Sequence, residues 1–268
     1  MQPHLVVLDI DGTLLHTGVP LAEETIAGVA ALHTAGHQIC IASARPEASV
    51  EVLRERLDVP AEIIAYNGAV VRRAGGGLVS EITFTISPHL ATELASFVAR
   101  GQTAIEIYLA DGRWWGFGDA DLVAAEEEAT WIRTDATAVS VTPAELEGLR
   151  VHKFLCDGED LEQVYAAVSE IWGLHITQSG THLHDIWHED AGKGNALRSL
   201  VAEVGIEMER VISVGDSDTD VPMLMVAGAG IAVEPCSQRA REVADVTAQG
   251  AGSAALFEAI GGVIDRHG

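Results

Sequence analysis

Short apolar segments alternate with helical segments in the first and last thirds of the chain, and this alternation limits the possible folds most. Leu5–Asp9 and His37–Ala42 are short apolar runs typical of buried strands. Between them, residues 21–33 carry apolar side chains at helical spacing. Residues 193–204 and 211–214 again pair a helical pattern with a strand-like run. We therefore predict an α/β fold, in which helices cover both faces of a parallel sheet.

The middle of the chain follows a different pattern, because apolar and polar residues alternate there with a period of two. The strand-like runs are residues 81–87, 103–109, 113–117, 151–156 and 182–187, and helical stretches lie near 88–100, 120–130 and 159–172. A segment of this size and pattern is typical of an α+β domain. We place this domain at 83–187, inserted into a core formed by 1–82 and 188–268.

The charge of the chain excludes two classes of partner. Asp and Glu number 40 against 16 Lys and Arg, which gives a net charge of −24. Nucleic acids and anionic membrane surfaces both repel such a chain.

No apolar stretch approaches the roughly 18 residues of a membrane span, and the first apolar run is too short for a signal peptide. We expect a cytoplasmic protein whose three cysteines, Cys40, Cys156 and Cys236, are reduced thiols.

Two carboxylates stand directly after the first predicted strand. Asp9 and Asp11 are two positions apart, so an extended backbone points both side chains to one face. Such a pair suits a metal ion, or a division of labour between a nucleophile and a proton donor. Gly12 follows and allows a sharp turn. A solvated acidic turn is the alternative, but a carboxylate pair abutting an apolar strand favours a functional site.

A second acidic segment, Asp216–Asp220, follows another predicted strand and carries carboxylates at alternate positions. A calcium-binding loop is excluded, because Val221 and Ala227 occupy the positions that need Gly and Glu. Open α/β sheets form their sites outside the carboxyl ends of the strands. We therefore expect this segment and Asp9 to meet there in one metal site.

Polar residues near two predicted helix starts could bind an anion. Ser43 and Arg45 end the second strand just before a helix, where a hydroxyl and helix amides can cradle an anion. A simple helix cap is an equal alternative for Ser43. Lys193 lies at another helix start, where the helix dipole disfavours a cation. That position indicates an anionic partner, and an ordinary surface lysine is the alternative.

Together these segments resemble the four motifs of the haloacid dehalogenase superfamily. Asp9–Thr13 resembles the first motif, Ser43–Arg45 the second, Lys193 the third and Gly215–Asp220 the fourth. Asn67–Ala69 matches a segment common in the branch with Cof-type sugar phosphatases. That branch carries an α+β cap between the second and third motifs. The resemblance implies a Rossmann-like parallel sheet core with an inserted α+β cap domain that selects the substrate.

The resemblance also implies an activity and its residues. It implies a Mg²⁺-dependent phosphatase that hydrolyses a small phosphomonoester, such as a sugar phosphate, through an aspartyl-phosphate. Asp9 would be the nucleophile, and Asp11 would protonate the leaving group and then activate water. Mg²⁺ would be held by Asp9, Asp216 and the backbone carbonyl of Asp11, with Asp220 in support. The phosphate-binding positions would be Thr13, Ser43, Ala44, Arg45, Lys193 and Thr219.

The chain departs from the family pattern at two positions, and the sequence also allows alternative functions. Ala44 stands where the family usually has Gly, and Thr219 where it usually has Asn. The same aspartate chemistry would serve a phosphotransferase or a phosphomutase, and a non-catalytic protein could bind a phosphorylated ligand. Gly228 and Gly230 suggest a dinucleotide-binding site, but the signal is weak because the third glycine of that motif is lacking. We expect a small phosphorylated metabolite as partner, and a monomer or weak homodimer.

Overall fold

The structure is a computed structural model that describes residues 3–16, 19–178 and 182–267. It divides the chain into two compact units. The first is formed by the residues up to Glu81 together with those from Gly192 onward, and the second is Ile82–Ala191. The second unit begins one residue before the predicted insertion at 83–187 and ends four residues after it.

Helices and strands follow one another in three stretches of the chain. The first contains β1 (Leu5–Leu8), α1 (Glu23–Thr34), β2 (Gln38–Ala42), α2 (Glu47–Leu57), β3 (Ala61–Ala65), β4 (Val70–Arg72) and β5 (Leu78–Glu81). The second contains β6 (Phe84–Thr85), α3 (Pro88–Ala99), β7 (Ala104–Leu109), β8 (Trp114–Gly118), α4 (Ala120–Thr130), β9 (Ala136–Ala138), α5 (Pro143–Leu146), β10 (Arg150–Asp157), α6 (Glu162–Ser169), β11 (Leu174–Gln178) and β12 (Leu183–His188). The third contains α7 (Lys193–Val204), β13 (Val211–Gly215), α8 (Val221–Val226), β14 (Ala229–Glu234), α9 (Gln238–Val243), β15 (Val246–Gln249) and α10 (Ala254–His267).

The sheet of the first unit has the order β15-β14-β13-β1-β2-β3-β4-β5. The strands from β15 to β3 are parallel, and β4 and β5 complete one edge in antiparallel pairings. In β1, Leu5 lies between Val211 and Gln38, and Leu8 lies between Val214 and Ile41. The predicted α/β fold with a Rossmann-like parallel sheet is confirmed.

Both faces of this sheet are buried. Leu5 and Val7 of β1 pack in one cluster with Leu197 and Leu200 of α7. The alternate side chains of β1 and β2 point to the other face, because side chains alternate along a strand. They are also fully buried and are Val6, Leu8, Ile39 and Ile41. Helix α1 contacts β2, α2 and α10. This burial on both sides explains why the core strands are apolar without alternation.

The second unit contains an antiparallel sheet with one parallel edge. Its order is β11-β12-β10-β7-β8-β9, β6 pairs with β10, and β9 runs parallel to β8. Phe154, Ile105 and Ile186 form one core with residues of α3 and α6, among them Leu94 and Val164. The observed mixture of helices and strands has the α+β character predicted for this segment.

Several predicted elements differ from those observed. A single strand at 81–87 is wrong, because β5 ends in the first sheet and Phe84–Thr85 pairs with β10 in the second. The helix predicted over 159–172 is shorter, since Asp160 adopts a left-handed conformation (φ +57°) and α6 starts after it. Helix α9 escaped prediction because Ala240 is its one buried residue and no apolar stripe marks it.

Other properties of the chain agree with expectation. Cys40, Cys156 and Cys236 are free thiols. Within the described ranges, no helix combines the length and the apolar character that crossing a membrane requires.

Candidate active site

Two carboxylates follow neighbouring strands at the centre of the parallel sheet. Asp9 comes directly after β1, and its backbone N–H donates to the carbonyl of Val214 in β13 at 3.0 Å. Asp216 comes directly after β13. The side-chain oxygens of Asp9, Asp216 and Asp220 lie within 4.8 Å of one another. The pairing of β1 with β13 therefore brings acidic residues from opposite ends of the chain into one cluster.

Lys193 lies inside this cluster. Its side chain is 1% exposed, and its Nζ donates to Oδ1 of Asp9 and to Oδ1 of Asp220, both at 2.6 Å. Burial alone would lower the pKa of Lys193, but the carboxylates of Asp220 and Asp9 raise it above its ordinary value. The ammonium group is therefore charged, and the alternative of an ordinary surface lysine is excluded.

Asp220 binds both Lys193 and the loop that carries Asp216. Its second oxygen, Oδ2, accepts hydrogen bonds from the backbone N–H groups of Asp216 (3.1 Å) and Ser217 (2.9 Å). The hydroxyl of Ser217 donates to the same oxygen at 2.8 Å. Because Asp220 is fully buried, this arrangement holds the loop and the ammonium group in one fixed geometry.

Negative charge exceeds positive charge within the cluster. Burial raises the pKa of Asp9 well above its ordinary value, and the charge of Asp220 raises it further despite the nearby Lys193. Burial and the charge of Asp220 likewise raise the pKa of Asp216 to about 7. The cluster thus contains one ammonium group and three carboxyl groups. A divalent cation that prefers oxygen ligands, such as Mg²⁺, fits this donor set and would offset the excess charge.

Gly12 gives the first loop the close approach to Asp216 that the cluster requires. Its φ of +83° lies in the left-handed region that glycine adopts freely. A Cβ at this position would overlap the carboxylate of Asp216. The hydroxyl of Thr13, the next residue, donates to Oδ1 of Asp216 at 3.3 Å. The turn predicted at Gly12 therefore also shapes the second acidic segment.

Asp11 is paired with Arg45. Nε of Arg45 donates to Oδ2 of Asp11 at 2.7 Å, and Nη2 donates to Oδ1 at 2.8 Å. The side chain of Asp11 is 38% exposed, and that of Arg45 is 10% exposed. The two predicted site residues are thus joined in a two-pronged ion pair beside the main cluster.

The other predicted phosphate-binding positions have local partners. Ser43 is buried, and its Oγ accepts the backbone N–H of Arg45 at 3.1 Å, so it caps the turn that leads to α2. The hydroxyls of Thr219 and Ser217 hydrogen-bond to each other at 2.8 Å. Ala44 is half-buried. Ser217 thereby connects Thr219 to Asp220, a role for Ser217 that sequence reasoning missed.

Asn67, in the segment that resembles the Cof-type branch, contacts the Ser43–Arg45 segment, and the sequence did not predict this contact. Its backbone N–H donates to the carbonyl of Ser43 at 3.0 Å, and the N–H of Tyr66 donates to that of Arg45 at 2.9 Å. The side chain of Asn67 is buried, and its Oδ1 has no hydrogen-bond partner among the described residues. The turn at Tyr66 and Asn67 therefore supports the Ser43–Arg45 segment.

Comparison with known proteins shows the family to which the chain belongs. Residues 6–260 match the family model of the haloacid dehalogenase-like hydrolases. The 5-amino-6-(5-phospho-D-ribitylamino)uracil phosphatase YwtE of Bacillus subtilis is 27% identical over 260 residues, covering 88% of this chain and 90% of its own. The HMP-PP phosphatase of Cronobacter sakazakii is 26% identical over 235 residues, covering 85% of this chain and 82% of its own. The solved sugar phosphatase BT4131, of HAD subclass IIB, superimposes with a TM-score of 0.78 at 19% identity over 97% of this chain and 98% of its own, a likeness of fold.

Proposed function

Because the chain belongs to the haloacid dehalogenase-like hydrolases, we propose that it is a Mg²⁺-dependent phosphatase of a small phosphorylated metabolite, with Asp9 as nucleophile. The family match and the phosphatases among its relatives make the chain a phosphoric monoester hydrolase. The Mg²⁺ dependence and the role of Asp9 are supported by one observation, the buried cluster in which Lys193 contacts Asp9 and Asp220 next to Asp216.

The proposed reaction has two steps. In the first, an oxygen of Asp9 attacks phosphorus and the bond between phosphorus and the leaving oxygen breaks, while Asp11 donates a proton to that oxygen. The alcohol leaves and the phosphoryl group stays on Asp9. In the second, Asp11 takes a proton from water, whose oxygen attacks phosphorus, and the bond between phosphorus and the oxygen of Asp9 breaks. This step releases inorganic phosphate and restores the carboxylate of Asp9.

Charged groups around Asp9 would support both steps. Asp9, Asp216 and the backbone carbonyl of Asp11 would hold Mg²⁺, with Asp220 in support. The bound ion would offset the negative charge of the phosphoryl oxygens. The ammonium of Lys193 adds a fixed positive charge beside the attacking oxygen, in a buried position where such charges act strongly.

We propose that the second unit, Ile82–Ala191, acts as a cap that selects a sugar phosphate or a similar metabolite. The name of the relative YwtE, a 5-amino-6-(5-phospho-D-ribitylamino)uracil phosphatase, supports a small phosphorylated metabolite as substrate. The phosphate would be bound at Thr13, Ser43, Ala44, Lys193 and Thr219.

The proposal is tested by phosphate release from a panel of small phosphomonoesters, with Mg²⁺ and with a chelator. We expect turnover with Mg²⁺ and a loss of about 10²-fold or more with the chelator, because the excess negative charge then repels the substrate. Mg²⁺ without substrate should also raise the free energy of unfolding, by about 2.7 kcal/mol at a hundredfold excess over Kd. Equal turnover in chelator would contradict the Mg²⁺ requirement, and no release from any ester would contradict the phosphatase.

Asp218→Asn provides a matched control for this panel. Asp218 lies in the same loop, but its side chain is exposed and pairs with Arg239 at 3.3 Å. The variant should therefore keep the response to Mg²⁺ in both measurements. A loss of that response would show that loop charge in general, and not the buried cluster, controls Mg²⁺ binding.

Replacing Gly12 with Ala tests the close approach between the two loops. We expect a loss of about 2 kcal/mol or more in stability and at least a tenfold loss of activity, because the new Cβ displaces Asp216. Gly36→Ala is the matched control, since Gly36 also has a positive φ (+92°) but has open space around its Cβ position. It should lose only about 1 kcal/mol and keep full activity. Denaturation curves and initial rates measure both effects, and equal behaviour of the two variants would contradict the contact.

A further inference from the structure

We infer that Arg45 is a positioning residue that holds Asp11 in the orientation needed for proton transfer, and that it is not a phosphate ligand. This inference rests on the proposed phosphatase function. It starts from the two hydrogen bonds from Nε and Nη2 of Arg45 to the two carboxylate oxygens of Asp11, at 2.7 and 2.8 Å.

The ion pair with Asp11 uses the edge of the Arg45 guanidinium group that is best suited to bind an oxyanion. A guanidinium group grips a carboxylate or a phosphate through two parallel N–H groups on one edge. In this structure the edge formed by Nε and Nη2 faces Asp11. Lys193 already places a positive charge beside Asp9. The cluster therefore has a cation for the phosphoryl group, and Arg45 is committed to the acid–base residue.

Arg45 is itself held in place from several sides. Its Nη1 donates to the hydroxyl of Ser49 in the first turn of α2, at 3.3 Å. Its backbone N–H donates to Oγ of Ser43 at 3.1 Å, and its carbonyl accepts the N–H of Tyr66 at 2.9 Å. The backbone and the guanidinium group are thus both anchored in the first unit. A side chain fixed in this way can orient the more exposed Asp11.

The ion pair still leaves Asp11 able to transfer a proton. A carboxylate has about four lone-pair positions, and the two hydrogen bonds from Arg45 use one on each oxygen. The planar guanidinium group fixes the plane of the carboxylate, so a remaining position on either oxygen points in a constant direction. After Asp11 gives its proton to the leaving oxygen, it is a carboxylate that Arg45 stabilises until it takes a proton from water. Arg45 would thereby act on catalysis through Asp11.

The leaving group distinguishes this role from phosphate binding. An alkyl phosphate needs a proton on its leaving oxygen, whereas p-nitrophenyl phosphate releases a stable anion and needs little help. We expect Arg45→Met to lower kcat/KM for the best alkyl ester by about 10²-fold, because the leaving oxygen then loses general acid catalysis. The value of kcat/KM for p-nitrophenyl phosphate should fall far less. The ratio kcat/KM is compared because hydrolysis of the aspartyl-phosphate follows alcohol release and does not enter it.

Two further variants complete the test. Arg45→Lys keeps the charge but loses the two-pronged geometry, so it should be nearly as poor as Arg45→Met on the alkyl ester. Asp11→Asn should show the same preference for the aryl ester, and adding Arg45→Met to it should cause little further loss, since both residues act in one step. Retained hydrolysis of p-nitrophenyl phosphate also shows that each variant is folded.

The possible failures are separable. If Arg45→Met lowers kcat/KM for both esters equally and Arg45→Lys restores both, Arg45 binds the phosphoryl group and the inference is wrong. If the losses at Asp11 and Arg45 multiply in the double variant, the two residues act independently and the inference is again wrong. If the unaltered protein hydrolyses neither ester with Mg²⁺, the proposed function fails before Arg45 is tested.

Discussion

Asp9→Asn is expected to lower kcat for phosphomonoester hydrolysis by about 10⁴-fold or more, because an amide does not replace the attacking carboxylate. The substitution is nearly isosteric, and its amide oxygen can still accept the hydrogen bond from Lys193. Initial rates of phosphate release with Mg²⁺ measure the effect. Residual activity within tenfold of the unaltered protein would contradict Asp9 as the nucleophile.

The stability of this variant provides an independent check. Burial and the charge of Asp220 raise the pKa of Asp9, so the metal-free folded state favours the charged form of Asp9 less than the unfolded state does. A carboxyl group whose pKa is higher in the folded than in the unfolded state destabilises the fold when it is ionised. The free energy of unfolding of metal-free Asp9→Asn should therefore not fall below that of the unaltered protein. A large decrease would mean that lost activity reflects lost structure.

Lys193→Met is expected to lower both stability and activity. The variant leaves the carboxylates of Asp9 and Asp220 buried without their shared cation, and breaking a buried ion pair on one side costs about 3–5 kcal/mol. It also removes the fixed positive charge beside Asp9, which should lower kcat by about 10²-fold or more. Urea denaturation and initial rates at a temperature where the variant is folded measure the two effects.

Lys153→Met is the matched control for this variant. Lys153 is the only other lysine of the chain and is also buried, and its Nζ donates to Asp185 at 2.5 Å within the second unit. Its loss should lower stability for the same reason, while kcat for p-nitrophenyl phosphate is retained. If both variants lose the same fraction of kcat, the effect of Lys193 on catalysis is an indirect result of destabilisation.

The local pattern of the sequence was sufficient for the fold class and for the ends of the central strands. Apolar runs such as Leu5–Leu8 had to be buried on both sides, which indicated a parallel sheet with helices. The carboxylates after these runs could then be assigned to one edge of the sheet, and resemblance added their roles. Short elements with a mainly polar face, such as α9 and β15, carry no such pattern and were missed.

Hydrogen-bond partners depended on the tertiary structure. Sequence placed Lys193 at a helix start, but only the packing of α7 buries it between Asp9 and Asp220. Sequence also grouped Arg45 with the phosphate-binding positions, whereas the fold pairs it with Asp11. These contacts join distant residues through the order of strands in the sheet and the packing of helices on it. Periodicity along the chain determines which residues are buried or reach a strand end, while only the three-dimensional arrangement of strands and helices determines which charges meet there.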